Sequence, residues 1–386
     1  MGRLARIAGP CSIALLPLLA APAAGAAATS FWTRLLRADA VDDSHPRISG
    51  HTVVWQHGTG SAAEIFYRDD QHIVPLTQDG FADELPEIDG SLVVWQHFDG
   101  NDYEVMRYDG ASNVFVTNNT TPDICPVVSN GFIGWSGTGA LGPDFFLYQY
   151  PSPAGEQITG DAADDECPQT SAGNFVWTKF NLTNDRDVWA WLADLPTPPG
   201  PGLYQITDTP TTMETSPAIS KDRIAYVQGT GTDAEIRLFD ASDFSDIALT
   251  TDHAEDRNPQ IDGDRVVWEH FDGTDWEIFQ YQVGGLLSPL TNNDYDDVTP
   301  QISGDTVVWV ADEPGHSQIW VSWHGAAPQR LTSDSLDHSD PHIDGELITF
   351  EACGATSCNI WLAPEPSAGA LALTALVALA ALARRR

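Results

Sequence analysis

Positive charge is scarce in this chain. Its 386 residues hold 18 Lys and Arg against 55 Asp and Glu, and only two of the cations are lysines, Lys179 and Lys221. That balance excludes nucleic acid and anionic lipid as partners and favours cations or cationic ligands. Cysteine is also rare, at five residues, and no Cys-x-x-Cys pair occurs, which argues against a zinc site. There is no Gly-x-Ser-x-Gly elbow, no His-Glu-x-x-His and no phosphate-binding glycine loop. The usual signatures of serine hydrolases, zinc peptidases and nucleotide enzymes are therefore missing.

What the chain has instead is repetition. Pro46, Pro86, Pro126, Pro168, Pro217, Pro259, Pro300 and Pro341 recur at intervals of 40, 40, 42, 49, 42, 41 and 41 residues. After each proline comes a short turn, then an apolar run closed by Trp55, Trp95, Trp135, Trp177, Tyr226, Trp268, Trp309 or Phe350. An aliphatic-Thr pair ends every repeat but the last, as in Leu76-Thr77 and Leu290-Thr291. Short β-branched and aromatic runs bounded by Gly, Asp and Asn read as strands, and a period near 40 residues marks stacked small sheets. The expected fold is all-β: an eight-bladed β-propeller of four-stranded antiparallel blades, with the aromatic rings packed between blades. The last repeat lacks a fourth strand before residue 364. Counting back from Pro46 places residues 33–37 at the missing position, so the N-terminal segment should close the final blade.

The repeats resemble the TolB-like propeller family, most closely in Pro259-Gln260-Ile261-Asp262-Gly263-Asp264 followed by Val266-Val267-Trp268 and Glu277-Ile278-Phe279. The resemblance implies a propeller on the outer side of a membrane that acts as a binding platform for protein. TolB itself has six blades and an additional N-terminal domain. The eight repeats here leave no stretch for that domain, so its Tol–Pal partnership is not carried over.

Both ends read as targeting segments. Residues 1–26 carry Arg3 and Arg6, an apolar stretch and Ala24-Gly25-Ala26, the layout of a secretory signal peptide. The propeller then spans residues 30–363. Residues 364–386 carry Pro364-Glu365-Pro366, an apolar run from Ala368 to Ala383 and three terminal arginines. The run is just long enough for a membrane helix, with its basic end kept inside. This tail resembles the PEP-CTERM sorting signal of Gram-negative bacteria. That resemblance implies recognition by an exosortase-type processing enzyme and delivery to the cell envelope, cell surface or extracellular matrix; the alternative is an unprocessed membrane anchor. Without both ends the chain carries 13 basic and 54 acidic groups.

Four cysteines remain in the mature chain, as suits an exported protein. Cys353 and Cys358 are placed to clamp a hairpin. Cys125 and Cys167, each one residue before a repeat proline, are placed to join neighbouring repeats.

Three sets of residues are candidates for chemistry. Asp43, Asp83, Asp123, Asp165, Glu214, Asp256, Asp297 and His338 each stand three residues before a repeat proline. They would form either an acidic ring at the channel mouth that attracts cations, or carboxylates that cap their own turns. Two near-identical loops, Asp99, Asp102, Glu104 and Asp272, Asp275, Glu277, cluster oxygen ligands suited to Ca²⁺, although Asp-Gly is also a plain turn former. His57, His97 and His270 share one repeat position and read as solvated or loop-capping residues. The Pro-rich insertion from Leu195 to Gly202 is a candidate contact loop. Propeller peptidases carry a second catalytic domain, for which the repeats leave no residues. The expected function is therefore an exported, non-catalytic propeller that binds a protein or glycan. A polysaccharide lyase or glycosidase using channel carboxylates, and a calcium-stabilised structural module, are the alternatives.

Overall fold

A computed structural model describes residues 33–364 apart from 71, 153–154, 182–184, 194 and 196–199. These residues form eight antiparallel sheets arranged in sequence order, the blades of a propeller. Blade 1 is typical: an inner strand Asp43–Ser49, then Thr52–His57, Glu64–Arg68 and an outer strand Ile73–Pro75. The remaining blades repeat this order, and blade 4 differs only in that its inner strand is broken into Asp164–Asp165 and Gln169–Ser171. Blade 8 comprises Asp337–Asp344, Leu347–Cys353 and Cys358–Pro364, with Arg34–Leu35 as its fourth strand. Arg34 pairs with Leu362 and Leu35 with Trp361, which closes the ring with the beginning of the chain.

The core is divided into eight clusters, one per blade interface, because each sheet can bury its faces only against its neighbours. Trp95 of blade 2 packs on Val54 and Ile65 of blade 1, Trp309 of blade 7 on Val267 and Ile278 of blade 6, and Phe350 of blade 8 on Val308 and Ile319 of blade 7. Trp55 closes the circle on Ile360 and Leu362 of blade 8. None of the eight rings exceeds 2% exposure. A buried indole removes about 150–250 Å² from water, a gross stabilisation of roughly 4–6 kcal/mol per ring.

Two polar devices explain other parts of the repeat. The Thr of each aliphatic-Thr pair accepts a hydrogen bond from a third-strand N–H of its own blade, for example Thr77 Oγ1 from Ile65 N at 2.9 Å and Thr291 Oγ1 from Ile278 N at 2.8 Å. In blade 8 Arg37 stands at that position, and the neighbouring Leu36 N–H still bonds Ile360 O at 2.9 Å, matching Leu76 N to Ile65 O in blade 1. The second device is a girdle at the turn after each inner strand. The last residue of that strand, Ser or Asp, accepts a backbone N–H from the equivalent turn of the next blade. The girdle runs from Ser49 with Gly90 N and Asp89 with Asn130 N round to Ser303 with Gly345 N and finally Asp344 with Gly50 N, at 2.5–3.0 Å in these four links.

The repeat proline does not begin its strand, as its missing N–H leads one to expect. In blades 1–3 and 5–7 the inner strand starts three residues earlier, and in blade 8 four, and the proline sits in a β-bulge where the register slips, between Ser44 and Arg47 in blade 1; in blade 4 Pro168 falls in the break between the two inner-strand pieces. In seven blades the residue before the proline takes a left-handed conformation, from His45 at φ 51° to Asp340 at φ 44°. A bulge tolerates proline because the ladder is already interrupted there.

The cysteines are joined as the sequence pairs them, Cys125 to Cys167 between blades 3 and 4 and Cys353 to Cys358 across a hairpin. The signal segment, the apolar tail with Glu365 and Pro366, and residues 196–199 of the Pro-rich insertion lie outside the described residues. Among the described residues no helix is long and apolar enough to cross a membrane.

Candidate functional site

The eight ring residues lie at the blade interfaces, sealed from water, instead of around a channel mouth. Asp43, Asp83, Asp123, Asp165, Glu214, Asp256, Asp297 and His338 are all buried, and none of them lines the axial channel. Wherever the blade carries a tryptophan, its indole N–H donates to the carboxylate twelve residues upstream. The distances are 3.1 Å for Trp55 to Asp43, 2.7 Å for Trp95 to Asp83 and 2.9 Å for Trp309 to Asp297. The expectation of turn capping fits no better, because the partners are side chains.

Two further positions complete each group, and sequence reading assigned neither to this role. One lies two residues after the aromatic. It supplies His57, His97 and His270, whose Nδ1 atoms approach Asp43, Asp83 and Asp256 at 2.7–2.8 Å, and Lys179, at 3.2 Å from Asp165. The histidines are thus interface partners of carboxylates, neither solvated nor loop-capping. In blades 3 and 7 this position is Gly137 or Ala311, and a second position, four residues before the carboxylate, compensates. Asn119 and Asn293 stand there and donate to Asp123 and Asp297 at 2.6 and 2.5 Å. Where a cation is present, the same position holds Asp79, Asp161 or Asp252. Blade 8 inverts the arrangement, with Asp334 bonded to His338 at 2.9 Å. Four of the seven carboxylates thus meet a His or Lys, whereas Asp123, Asp297 and Glu214 are met by neutral donors, Glu214 by Thr209 at 2.5 Å and Gln228 at 3.0 Å, as burial of a polar group demands.

Titration follows these partners. Burial pushes Asp123 above the usual carboxylate range, and Asp297 up to about 7. The hydrogen bond to Asp83 raises His97, and that to Asp256 raises His270. Burial lowers His338.

The axial channel is touched by all eight inner strands and encloses about 420 Å³ toward the girdle. Nearer the bulges it is crossed by Arg47, which bonds Glu87 at 2.8 Å and lies 3.6 Å from Asp340. Arg47 is the only Lys or Arg among the described residues lining it, and Asp89, Asp262 and Asp344 there accept backbone N–H groups of the girdle. A second concentration of acid lies in a cleft of about 480 Å³ beside blade 4 where Asp161, Asp185, Asp187 and Asp208 surround Trp189. Lys179 is the single Lys or Arg among the described residues lining it, 3.1 Å from Asp161 and 5.2 Å from the Trp189 ring centroid. Burial, and then Asp185 beside it, raise Asp187. The repeat pattern does not mark this cleft as a whole, because its acids come from the connection before blade 4 (Asp161), the loop before its third strand (Asp185), that strand itself (Asp187) and the connection after its last strand (Asp208).

The two Asp-x-x-Asp-x-Glu loops are brought together as their spacing implies. Ligand oxygens of Asp99, Asp102 and Glu104 lie within 4.8 Å of one another, as do those of Asp272, Asp275 and Glu277.

No family model matches the chain, and no curated protein matches it. Solved structures do. A puromycin-hydrolyzing peptidase of Mycobacterium tuberculosis is 13% identical with a TM-score of 0.54, over 85% of this chain and 59% of that one. A structure from a study of two prolyl endopeptidases is 9% identical with a TM-score of 0.58, over 82% and 55%. The β-propeller domain of the Trilobed protease from Pyrococcus furiosus is 13% identical with a TM-score of 0.53, over 76% of this chain and 98% of that domain. The chain thus spans little more than half the length of the two peptidases. A TolB candidate from Agrobacterium tumefaciens, at 15% identity over 66% and 94%, reaches a TM-score of only 0.39, too low to carry an argument. At these identities the likeness establishes the propeller fold. It also corrects the expectation of a non-catalytic scaffold, because the architecture from which catalysis was set aside is one that peptidases carry.

Proposed function

We propose that this propeller works in peptide hydrolysis, holding peptides by a cationic group in the acidic cleft beside blade 4. The observation that carries the reading is the cleft itself: four carboxylates around one indole face, offset by a single lysine. An ammonium or guanidinium group over such a ring gains a cation–π contact of about 0.5–2 kcal/mol in addition to its ion pairs. The peptidase fold relatives support peptides as the ligand class, and the scarcity of basic residues supports a preference for basic ones.

The proposal is tested by incubating the purified chain with fluorogenic peptide amides whose amino termini are either free or acylated, and by titrating the same peptides calorimetrically. Free-terminus and basic peptides are expected to bind, with affinity falling about tenfold in Asp185→Asn and Trp189→Ala, a loss near 1.4 kcal/mol. A chain folded by circular dichroism that neither binds nor cleaves any of these peptides sinks it.

Export belongs to the same proposal. Residues 1–26 would be removed on secretion, residues 30–363 would act as the propeller, and residues 364–386 would be the sorting tail, at the envelope of a Gram-negative cell. The two disulfides support this, since such bonds persist in oxidising compartments.

A further inference from the structure

The loops 99–104 and 272–277 stand in blades 2 and 6, four blades apart and so on opposite sides of the ring. In each, three carboxylates converge, and each side chain commits one oxygen to the protein. Asp99 Oδ1 accepts Asn101 N at 2.8 Å, Asp102 Oδ1 accepts Asn101 Nδ2 at 2.6 Å, and Glu104 Oε1 accepts Asn119 N at 2.6 Å. The second loop repeats this: Asp272 Oδ1 with Thr274 N at 2.8 Å, Asp275 Oδ1 with Thr274 Oγ1 at 2.8 Å, and Glu277 Oε1 with Asn293 N at 2.6 Å.

The remaining oxygens are the anomaly. Asp102 Oδ2, Glu104 Oε2, Asp275 Oδ2 and Glu277 Oε2 are buried and have no donor. The side chains carrying them are 7%, 0%, 6% and 1% exposed. A buried carboxylate oxygen without a partner bears its full desolvation cost, and two from neighbouring acids also repel. Burial raises Glu104 and Glu277, and their aspartate neighbours add to the shift. A positive charge placed among these oxygens would remove both penalties.

We infer that each loop is a site for a hard divalent cation of the Ca²⁺ type, liganded by Asp99, Asp102 and Glu104 in blade 2 and by Asp272, Asp275 and Glu277 in blade 6. The donor set points to that class: all three ligands of each loop are carboxylate oxygens, which hard cations prefer, and they lie within 4.8 Å of one another, a span that Ca²⁺ binding oxygen at about 2.3–2.6 Å can bridge. Two other groups, Asp79, Asp83, His97 and Asp252, Asp256, His270, are as compact. There each imidazole Nδ1 is already bonded to its aspartate at 2.8 Å, so these side chains partner each other. The cation sites stand apart from the peptide cleft and do not depend on it.

The test uses the full chain stripped with chelator and titrated with Ca²⁺ at about 0.15 M salt, where diffuse surface attraction is screened. Saturation is expected near two ions per chain, with a rise in Tm that chelator reverses. Tyr103 and Trp276 lie inside the two loops, so bound Tb³⁺ should emit on excitation of either ring. Glu277→Gln should abolish the Trp276-sensitised emission and one equivalent of binding, and Glu104→Gln the other equivalent. Both variants keep the oxygen that accepts the backbone N–H. Wild-type chain that is folded yet takes up neither Ca²⁺ nor Tb³⁺ overturns the inference, as does a double variant that still binds two ions.

Discussion

At the scale of single residues, the carboxylate buried behind each tryptophan is the most informative feature. Its position was evident from repetition, but its role depends on residues from elsewhere in the blade and the preceding connection. His97 and His270 illustrate the consequence for pH. Their folded pKa values are raised by Asp83 and Asp256, so the stability they add is fully present below the unfolded value near 6.5 and is lost as pH rises through the raised folded values. A hydrogen bond to a charged partner contributes about 1.5–3 kcal/mol. His270→Asn should therefore cost about that much in urea denaturation at pH 5.5–6 and clearly less at pH 9. An equal cost at both pH values would mean that the imidazole acts by shape alone. His57 occupies the same position in blade 1, which is why the three histidines recur together; the repeat showed their equivalence but not their partners.

Among the elements, the closing strand bears the greatest consequence for its length. Arg34–Leu35 is two residues long, yet it and the following Leu36 join the first and last blades. Leu36 is buried with Trp55, Ile48 and Ile360 at that seam. Removing a buried leucine side chain to alanine costs about 2–5 kcal/mol, so Leu36→Ala should lower unfolding stability within that range. Leu286→Ala, at a leucine 87% exposed, should leave the denaturation midpoint within about 0.5 kcal/mol of wild type. Equal midpoints for the two variants would show that the seam is not what holds the ring closed. The inner strands carry the opposite lesson. Their prolines announced each repeat, but they sit in bulges, because a proline three residues into a strand can be accommodated only where the ladder skips.

For the whole molecule, the ring of blades provides a frame that buries carboxylates against indole, imidazole, lysine, hydroxyl or amide donors at its interfaces, and among the described residues acid is left in excess in the channel, in the cleft around Trp189 and in the two Asp-x-x-Asp-x-Glu loops. Cys125–Cys167 ties blades 3 and 4. If the chain is exported as proposed, material recovered from the outer fraction of producing cells should lack residues 1–26 by mass and contain both disulfides. Intact, reduced chain confined to the cytoplasm would contradict export.

Periodicity alone carried the count of blades, the strand order, the aromatic packing, the closing strand and both cysteine pairs. Each of these follows from local spacing, since an equivalent place in a repeat is an equivalent place in a blade. The two acidic loops were legible as clusters for the same reason, their three carboxylates falling within six residues. The buried interfaces, the Arg47 ion pairs in the channel and the cleft around Trp189 were not. Those depend on which side chains from different strands and neighbouring blades meet, and on how much water remains between them, and these are properties of the closed ring that no single repeat contains.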